Sequence, residues 1–145
     1  MKVNVQKLDP AAQLPTYGSA GAAGADLYAL LQEPLTVAPH TTVAVGTGIA
    51  VEIPAGYVGL IYARSGLALK RDLAPANKVG VIDCDYRGEL KVALHNHGTA
   101  PVTVEPGERI AQLVIAPCVQ AELCPVEQLS DTVRGAGGFG STGTK

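Results

Sequence analysis

The sequence predicts an all-β fold, a sandwich or barrel of short strands with one short helix. Three observations predict it. Seventeen glycines and ten prolines interrupt nearly every apolar run and leave little room for long helices. The runs that remain alternate with the period of two of a half-buried strand. Turn chemistry recurs between them at short intervals, as it does in sandwiches and barrels.

Taken in order, the first clear strand signal lies in the stretch 43–53. Val43, Val45, Thr47, Ile49, Val51 and Ile53 share one face of an extended segment. Ile53-Pro54-Ala55-Gly56 follows, with Pro second and Gly fourth, which suits a type I turn. Tyr57 to Tyr62 reads as the next strand. A short helix is expected after Ser65, through Leu67, Ala68, Leu69 and Lys70. Residues 80–88 join two strand-like runs as a hairpin. Leu90, Val92 and Leu94 face one side, with Glu89, Lys91 and His95 opposite. Glu105-Pro106-Gly107-Glu108 places Pro and Gly at its centre, which suits type II. Ile110, Gln112 and Val114 then oppose Ala111, Leu113 and Ile115. Both faces are largely apolar, as in a strand buried between layers. Residues 134–143 are half glycine, and glycine carries the largest ordering entropy of any residue. A flexible C-terminal tail is expected there.

The length of 145 residues fits one domain with its own core, here 1–133 with the tail 134–145. Hydrophobic residues make up 47% and charged residues 17%, which is a globular composition. Aromatics are only 4%, so Val, Leu, Ile and Ala must build the core. The net charge of −2 argues against bulk-charge grip on a nucleic-acid backbone. A single triphosphate remains admissible, because it needs only a few placed donors. Cys84, Cys118 and Cys124 are odd in number and form no C-x-x-C pair. Free thiols in a reducing compartment are therefore expected, with neither a disulfide framework nor structural zinc. The first residues lack the apolar run of a signal peptide, and no stretch nears the ~18 apolar residues of a membrane span. The expectation is a soluble cytoplasmic protein.

Several segments can carry chemistry. Ala63-Arg64-Ser65-Gly66-Leu67 joins a strand to the helix, where backbone N–H groups favour anions and Arg64 and Ser65 add a cation and a hydroxyl. The bland alternative is a strand-to-helix turn with Ser65 as N-cap. In Gly80-Val81-Ile82-Asp83-Cys84-Asp85-Tyr86-Arg87-Gly88, Asp83 stands where a carboxylate can orient and deprotonate a water. Tyr86 offers a flat face to a sugar or base. A hairpin whose Asp and Gly residues serve only turn geometry is the alternative. Asp26, in Ala23-Gly24-Ala25-Asp26-Leu27, can reach a hydrated Mg²⁺ or simply serve a turn. Gln112 is a lone amide on an apolar strand and needs a partner if buried. Arg134, Phe139, Ser141 and Thr142 place a cation, a ring and two hydroxyls among glycines, as a closing lid would, although a floppy terminus is the ordinary fate of such a stretch.

Two apparent motifs fail. Gly135-Ala136-Gly137-Gly138-Phe139-Gly140 matches G-x-G-x-x-G, but the strand, helix and later acid of a dinucleotide fold are missing. His40, His95 and His97 lack the spacing of a metal triad.

Together the segments around Asp26, Arg64, Asp83 and Gln112 (the last within Gly107-Glu108-Arg109-Ile110-Ala111-Gln112-Leu113) and the glycine-rich tail resemble the five ordered motifs of the homotrimeric dUTPase family. The resemblance spans nearly the whole chain, with no departure at a position the family uses for chemistry. It implies a β-barrel, jelly-roll-like (dUTPase-like) fold and Mg²⁺-assisted hydrolysis of dUTP to dUMP and pyrophosphate. It implies that Asp83 is the general base and that Tyr86 packs under deoxyribose. Asn77 and the backbone of Val81, Ile82 and Lys91 would read uracil. Arg64, Ser65, Gly66 and Gln112 would bind phosphates. Asp26 would meet Mg²⁺ through water. Arg134, Phe139, Gly140 and Ser141 would close over the nucleotide, in a homotrimer whose sites are shared between subunits. The nearest rival is a dCTP deaminase of the same fold. A non-catalytic nucleotide-binding module and a structural jelly-roll subunit are the others.

Overall fold

The computed structural model describes residues 1–138. Their course is all-β apart from one helix. In chain order the elements are β1 (Asn4–Lys7), β2 (Thr16–Tyr17), β3 (Ala25–Tyr28), β4 (Leu35–Val37), β5 (Thr42–Gly46), β6 (Ile49–Glu52), β7 (Tyr57–Tyr62), α1 (Ser65–Arg71), β8 (Leu73–Pro75), β9 (Gly80–Ile82), β10 (Lys91–Asn96), β11 (Val102–Val104) and β12 (Arg109–Pro117). They form antiparallel sheets ordered β1-β6, β5-β10-β8, β11-β4 and β2-β3-β12-β7-β9. These sheets enclose one core of Leu, Ile, Val and Ala, with Leu27, Val45, Ile49, Leu73, Leu90, Leu94 and Ile110 among its most buried members.

The alternation at 43–53 chooses the buried face correctly. Val45, Thr47, Ile49, Val51 and Ile53 are buried, and Val43 packs against the core half-buried. The segment is nevertheless two strands, because Gly48 takes φ +67 and turns the chain. β5 pairs with β10, whereas β6 pairs with β1, so one apolar run serves two sheets. The polar groups at the break are satisfied by the facing chain. Gly48 N–H donates to Glu89 Oε1 at 2.9 Å, and Thr47 Oγ1 donates to the Leu90 carbonyl at 2.7 Å. A Cβ at position 48 would lie 2.5 Å from Leu30 Cδ2 and 2.8 Å from Ala12 Cβ. Left-handed backbone costs a side chain about 1–2 kcal/mol, and overpacking adds about 1–3 kcal/mol.

The two expected turns divide. Glu108 N–H donates to the Glu105 carbonyl at 3.0 Å with Gly107 at φ +73, as type II requires. The earlier turn is shifted by one residue. Tyr57 N–H donates to the Pro54 carbonyl, so Pro54 is first and Gly56, at φ +82, is third. The positive φ makes this turn type II in character rather than type I, because glycine rather than proline fixes the register.

The stretch 80–88 is not a hairpin. β9 pairs with β7, while β10 pairs with β5 and β8, so residues 83–90 cross from one sheet to another. Close packing draws β9 onto β7: a Cβ on Gly59 would sit 3.1 Å from Ile82 Cβ, and one on Gly80 would sit 3.2 Å from Ile61 Cβ.

β12 is the central strand of the five-stranded sheet, between β3 and β7. Its pairing with β3 shifts register between Arg109 and Ala111. This β-bulge lets consecutive Ile110 and Ala111 both bury in the core. After Pro117 the chain leaves the sheets. Residues 118–136 are exposed, including Val119, Leu123, Val126, Leu129 and Val133.

Candidate active site

Sheet register assembles the first half of the site. Thr16 faces Asp26, Asp26 faces Gln112, and Gln112 faces Tyr62, so four strands place one row of polar side chains across the sheet. Close strand approach needs the small residues before Asp26, since a Cβ on Gly24 would already lie 3.0 Å from Gln112 Cβ. Two residues beyond Tyr62, Arg64 turns back to the row. Its Nε donates to Asp26 Oδ1 at 2.9 Å, and its Nη1 donates to the Arg109 carbonyl at 3.3 Å. Arg109 Nη1 donates to Asp26 Oδ2 at 3.1 Å, and Gln112 Nε2 approaches Asp26 Oδ1 at 3.4 Å. Asp26 itself is only 3% exposed. Two guanidiniums on one carboxylate leave the cluster with a net positive charge, which suits an anionic ligand.

Ser65 and Gly66 open α1 beside this cluster and are exposed. Ser65 is not the N-cap. Arg64 occupies that position, with φ −83 and ψ 127 and no side-chain cap bond. A guanidinium carries donors and no acceptor, so Arg64 cannot cap with its side chain, and the first helical N–H groups gain no acceptor from the N-cap residue. The far end of α1 is anchored by Arg71, which donates to the Glu108 carboxylate and the Thr103 carbonyl. Glu108 Oε2 in turn accepts the Glu105 N–H at 2.9 Å. Helix and turn are thereby joined next to Arg109.

The second half of the site lies on the crossing segment. Asp83 is exposed and begins a tight turn closed by the Tyr86 N–H on the Asp83 carbonyl. The Tyr86 hydroxyl donates to the Glu89 carbonyl at 3.1 Å, and its ring lies over Gly88, where any Cβ would collide with it. A fixed aromatic face, 44% exposed, results. Val81 is exposed and Ile82 half-buried on β9. Asn77 is exposed in the loop after β8, which runs along β10 through the Ala76 N–H on the Ala93 carbonyl at 2.7 Å. Lys91 is exposed, with Nζ 3.5 Å from Glu89 Oε2.

The two halves do not meet within one chain. Ile82 faces Gly59, while Gln112 faces Tyr62 at the other end of β7. At about 3.3 Å per residue, these levels are roughly 10 Å apart along β7, and Asp83 follows Ile82 in the direction away from the row that Arg64 joins. Two of the larger cavities, one of about 490 Å³ lined in part by Lys70, Asp72 and Asn96 and one of about 400 Å³ lined in part by Val3, Leu14 and Leu113, contain none of the candidate residues.

Among the described residues no group of three His, Cys, Asp or Glu side chains is arranged to hold a metal ion, and no helix is long and apolar enough to cross a membrane. The His95 and His97 rings meet edge-on at 4.4 Å. Desolvation first, then His95 and Lys78, hold His97 below the usual imidazole range, against an opposing pull from Asp72. Arg134 donates from Nε to the Gly137 carbonyl at 2.8 Å in a turn of its own. Phe139, Gly140 and Ser141 lie outside the described residues.

Arg109 escaped the reading of the sequence. The signal was present: two adjacent apolar residues, Ile110 and Ala111, stand between polar Arg109 and Gln112, which breaks strand alternation as a bulge does.

Residues 11–143 match the family model described as dUTPase. The chain is 50% identical over 144 residues to the deoxyuridine 5'-triphosphate nucleotidohydrolase of Desulfitobacterium hafniense, covering 99% of this chain and 95% of that protein. It is 54% identical over 134 residues to the protein of that name from an Anaeromyxobacter species, covering 92% and 90%. Among solved structures, the dUTPase of Staphylococcus bacteriophage 80alpha with dUPNHPP superposes with a TM-score of 0.89 at 32% identity, covering 98% of both chains. A mutant dUTPase from phage phi11 of S. aureus, whose structure reveals coordination of a structural Mg(II) ion, superposes with a TM-score of 0.81 at 27% identity, covering 90% and 100%.

Proposed function

The chain belongs to the dUTPase family, and on that premise we propose how its residues hydrolyse dUTP to dUMP and pyrophosphate. The observation that carries the proposal is the meeting of Asp26, Arg64 and Gln112. They are far apart in sequence, yet one buried carboxylate gathers them, with Arg109 alongside, into a cluster of net positive charge beside the start of α1.

Asp83 holds the attacking water and takes its proton. The water oxygen bonds to the α-phosphorus, the bond from that phosphorus to the bridging oxygen breaks, and pyrophosphate leaves. Arg64, Ser65, Gly66 and Gln112 hold the phosphates, and the guanidinium charge offsets the repulsion between a triphosphate and an incoming nucleophile. Placing the water in line carries much of the rate. Tyr86 packs under deoxyribose and leaves no room for a 2′-hydroxyl. Asn77 and the backbone of Val81, Ile82 and Lys91 read uracil. A base with the wrong donor pattern leaves those groups unpaired, which discriminates more strongly than a missing methylene.

The donor set around Asp26 fits Mg²⁺ held through water. Both carboxylate oxygens already accept from arginines, and Oδ1 also faces Gln112 Nε2, so a lone pair of Oδ2 is left to accept from a water of a hydrated ion. When bound, Mg²⁺ supplies charge neutralisation on the phosphate oxygens.

The site is shared between copies of the chain, in a homotrimer. Two features support this. Register separates Asp83 from the Arg64 cluster along β7, and the chain beyond Pro117 leaves the sheets with Val119, Leu123 and Leu129 exposed, which a neighbouring copy would cover. Residues 134–145 are the lid in this reading: Arg134 and Ser141 meet the γ-phosphate end, Phe139 covers the uracil, and Gly140 also binds the substrate. The enzyme works in the cytoplasm. Pyrophosphate release from dUTP, dCTP, dTTP and UTP, with and without Mg²⁺, tests the assignment. Turnover of dUTP alone, dependent on Mg²⁺, is expected; ammonia release from dCTP would overturn it.

A further inference from the structure

We infer that Arg87 is a positioning residue for the reaction: its guanidinium clamps the turn that carries Asp83 and Tyr86 and braces that turn against Glu52 on a separate sheet. The inference rests on the roles proposed for Asp83 and Tyr86 and adds a residue that acts through their backbone.

Residues 83–89 cross between sheets and belong to no strand, so no ladder of backbone hydrogen bonds fixes them. One backbone bond closes the turn, from the Tyr86 N–H to the Asp83 carbonyl at 3.2 Å. Arg87 supplies two more. Its Nη1 donates to the Cys84 carbonyl at 2.7 Å and to the Tyr86 carbonyl at 3.0 Å. Hydrogen bonds from an ionised donor are shorter and stronger than neutral ones. The Cys84 carbonyl lies one residue beyond the base. The Tyr86 carbonyl belongs to the residue whose ring packs under the sugar. One nitrogen bonded to both holds the two peptide units together, and with them the directions in which the Asp83 carboxylate and the Tyr86 ring leave the backbone. Tyr86 is thereby tied at both ends, since its hydroxyl donates to the Glu89 carbonyl.

The guanidinium has a second attachment. Glu52 on β6 faces Asn4 on β1, and its Oε2 accepts from Asn4 Nδ2 at 2.7 Å. Its Oε1 is turned toward Arg87 Nη2 at 3.6 Å. The Arg87 and Glu52 side chains are 52% and 53% exposed, so this ion pair by itself contributes little to stability. Its use is orientation. A carboxylate held by Asn4 keeps one guanidinium nitrogen at β6 while the other grips the turn, and the planar fork of arginine permits both at once. β1 and β6 form a sheet of their own, separate from those of β9 and β10. The turn with the base is therefore fixed to a third sheet as well as to the two it bridges.

The test is steady-state hydrolysis of dUTP and of UTP by the wild-type protein, Arg87→Met, Arg87→Lys and Glu52→Gln, with thermal unfolding followed in parallel. Arg87→Met keeps the apolar stem and removes the donors. Its kcat for dUTP is expected to fall roughly 10-fold or more, because a base misplaced by a fraction of an ångström loses its in-line water. KM should stay within about 3-fold, since the cluster around Asp26 is untouched. The kcat/KM for UTP relative to dUTP should rise, because a loosened ring admits a 2′-hydroxyl. Arg87→Lys returns donors to the carbonyls and should recover part of kcat. Glu52→Gln keeps the carbonyl bonds and should fall between wild type and Arg87→Met, which gives a reading even if Arg87→Met does not fold. Wild-type kcat in Arg87→Met or, if that variant does not fold, in Glu52→Gln overturns the inference. So does a lowered kcat with no rise in relative UTP turnover and no recovery by lysine, which would leave Arg87 as a structural contact only. A wild-type protein that hydrolyses no dUTP overturns the nucleotide reading itself.

Discussion

At position 26 a carboxylate 3% exposed accepts hydrogen bonds from two guanidiniums and lies within reach of an amide. Such a group is first a counter-ion: it fixes where two arginines stand and leaves their surplus charge for a ligand. Asp83 is its opposite in environment, an exposed carboxylate at the mouth of a tight turn. That contrast separates a group that organises charge from one that can meet a water. Replacing Asp83 by Asn keeps shape and turn and removes the basic oxygen. Turnover should fall by roughly 10²–10⁴-fold, the usual contribution of a positioned base, while affinity for a non-hydrolysable dUTP analogue stays near wild type. Steady-state rates together with calorimetry check this, and near-normal turnover would refute the assigned base. Asp26, Arg64, Asp83, Tyr86 and Gln112 could be singled out in the sequence because a charge, an aromatic ring or a lone amide stood out among small and apolar neighbours. Arg109 was not, because its direction depends on a bulge that only the pairing of β12 with β3 reveals.

At the scale of elements, local alternation identified buried faces well. Leu90, Val92 and Leu94 are all buried, and Lys91 opposite them is exposed. It could not tell which sheet a face joins. The segment 43–53 divides at Gly48, and residues 83–90 cross between sheets instead of closing a hairpin. Asn96 shows how strands of separate sheets are tied together. It is fully buried, yet its Nδ2 donates to the Val37 and Ala100 carbonyls and its Oδ1 accepts the Gly98 N–H, so the end of β10 is tied to β4 and to the next turn. The tail is an element of another kind, since it begins beyond a chain segment that carries no strand and little burial. Removing residues 134–145 should leave the melting temperature within a few degrees of wild type, because ~1 kcal/mol moves a domain of this size only about 4 °C. The same truncation should abolish most dUTP turnover. Normal activity in the truncated protein would refute the lid.

At the scale of the whole molecule, register places Asp83 toward the start of β7 and the Asp26 row at its end, which is the basis of the proposed shared site. Copies in contact can pair one chain's Asp83 with another chain's Arg64. Mixing inactive Asp83→Asn with inactive Arg64→Gln, after dissociation and reassembly, should therefore restore part of the wild-type turnover, because mixed trimers contain sites with both residues intact. Sedimentation should give a trimer for each protein alone. Persistent inactivity in mixtures shown to exchange subunits would place both residues in one chain's site and refute the shared one.

The sequence by itself determined what depends on neighbours along the chain. Strand periodicity, the Glu105–Glu108 turn, the helix after Arg64 and the residue types offered to a ligand all follow from side-chain geometry over a few positions. Tertiary structure alone decided the strand partners, the break at Gly48, the bulge that turns Arg109 toward Asp26, and the distance between Asp83 and Arg64. Those features arise from hydrogen bonding and packing between segments tens of residues apart, and no local pattern encodes which of several similar apolar strands will close the core against another.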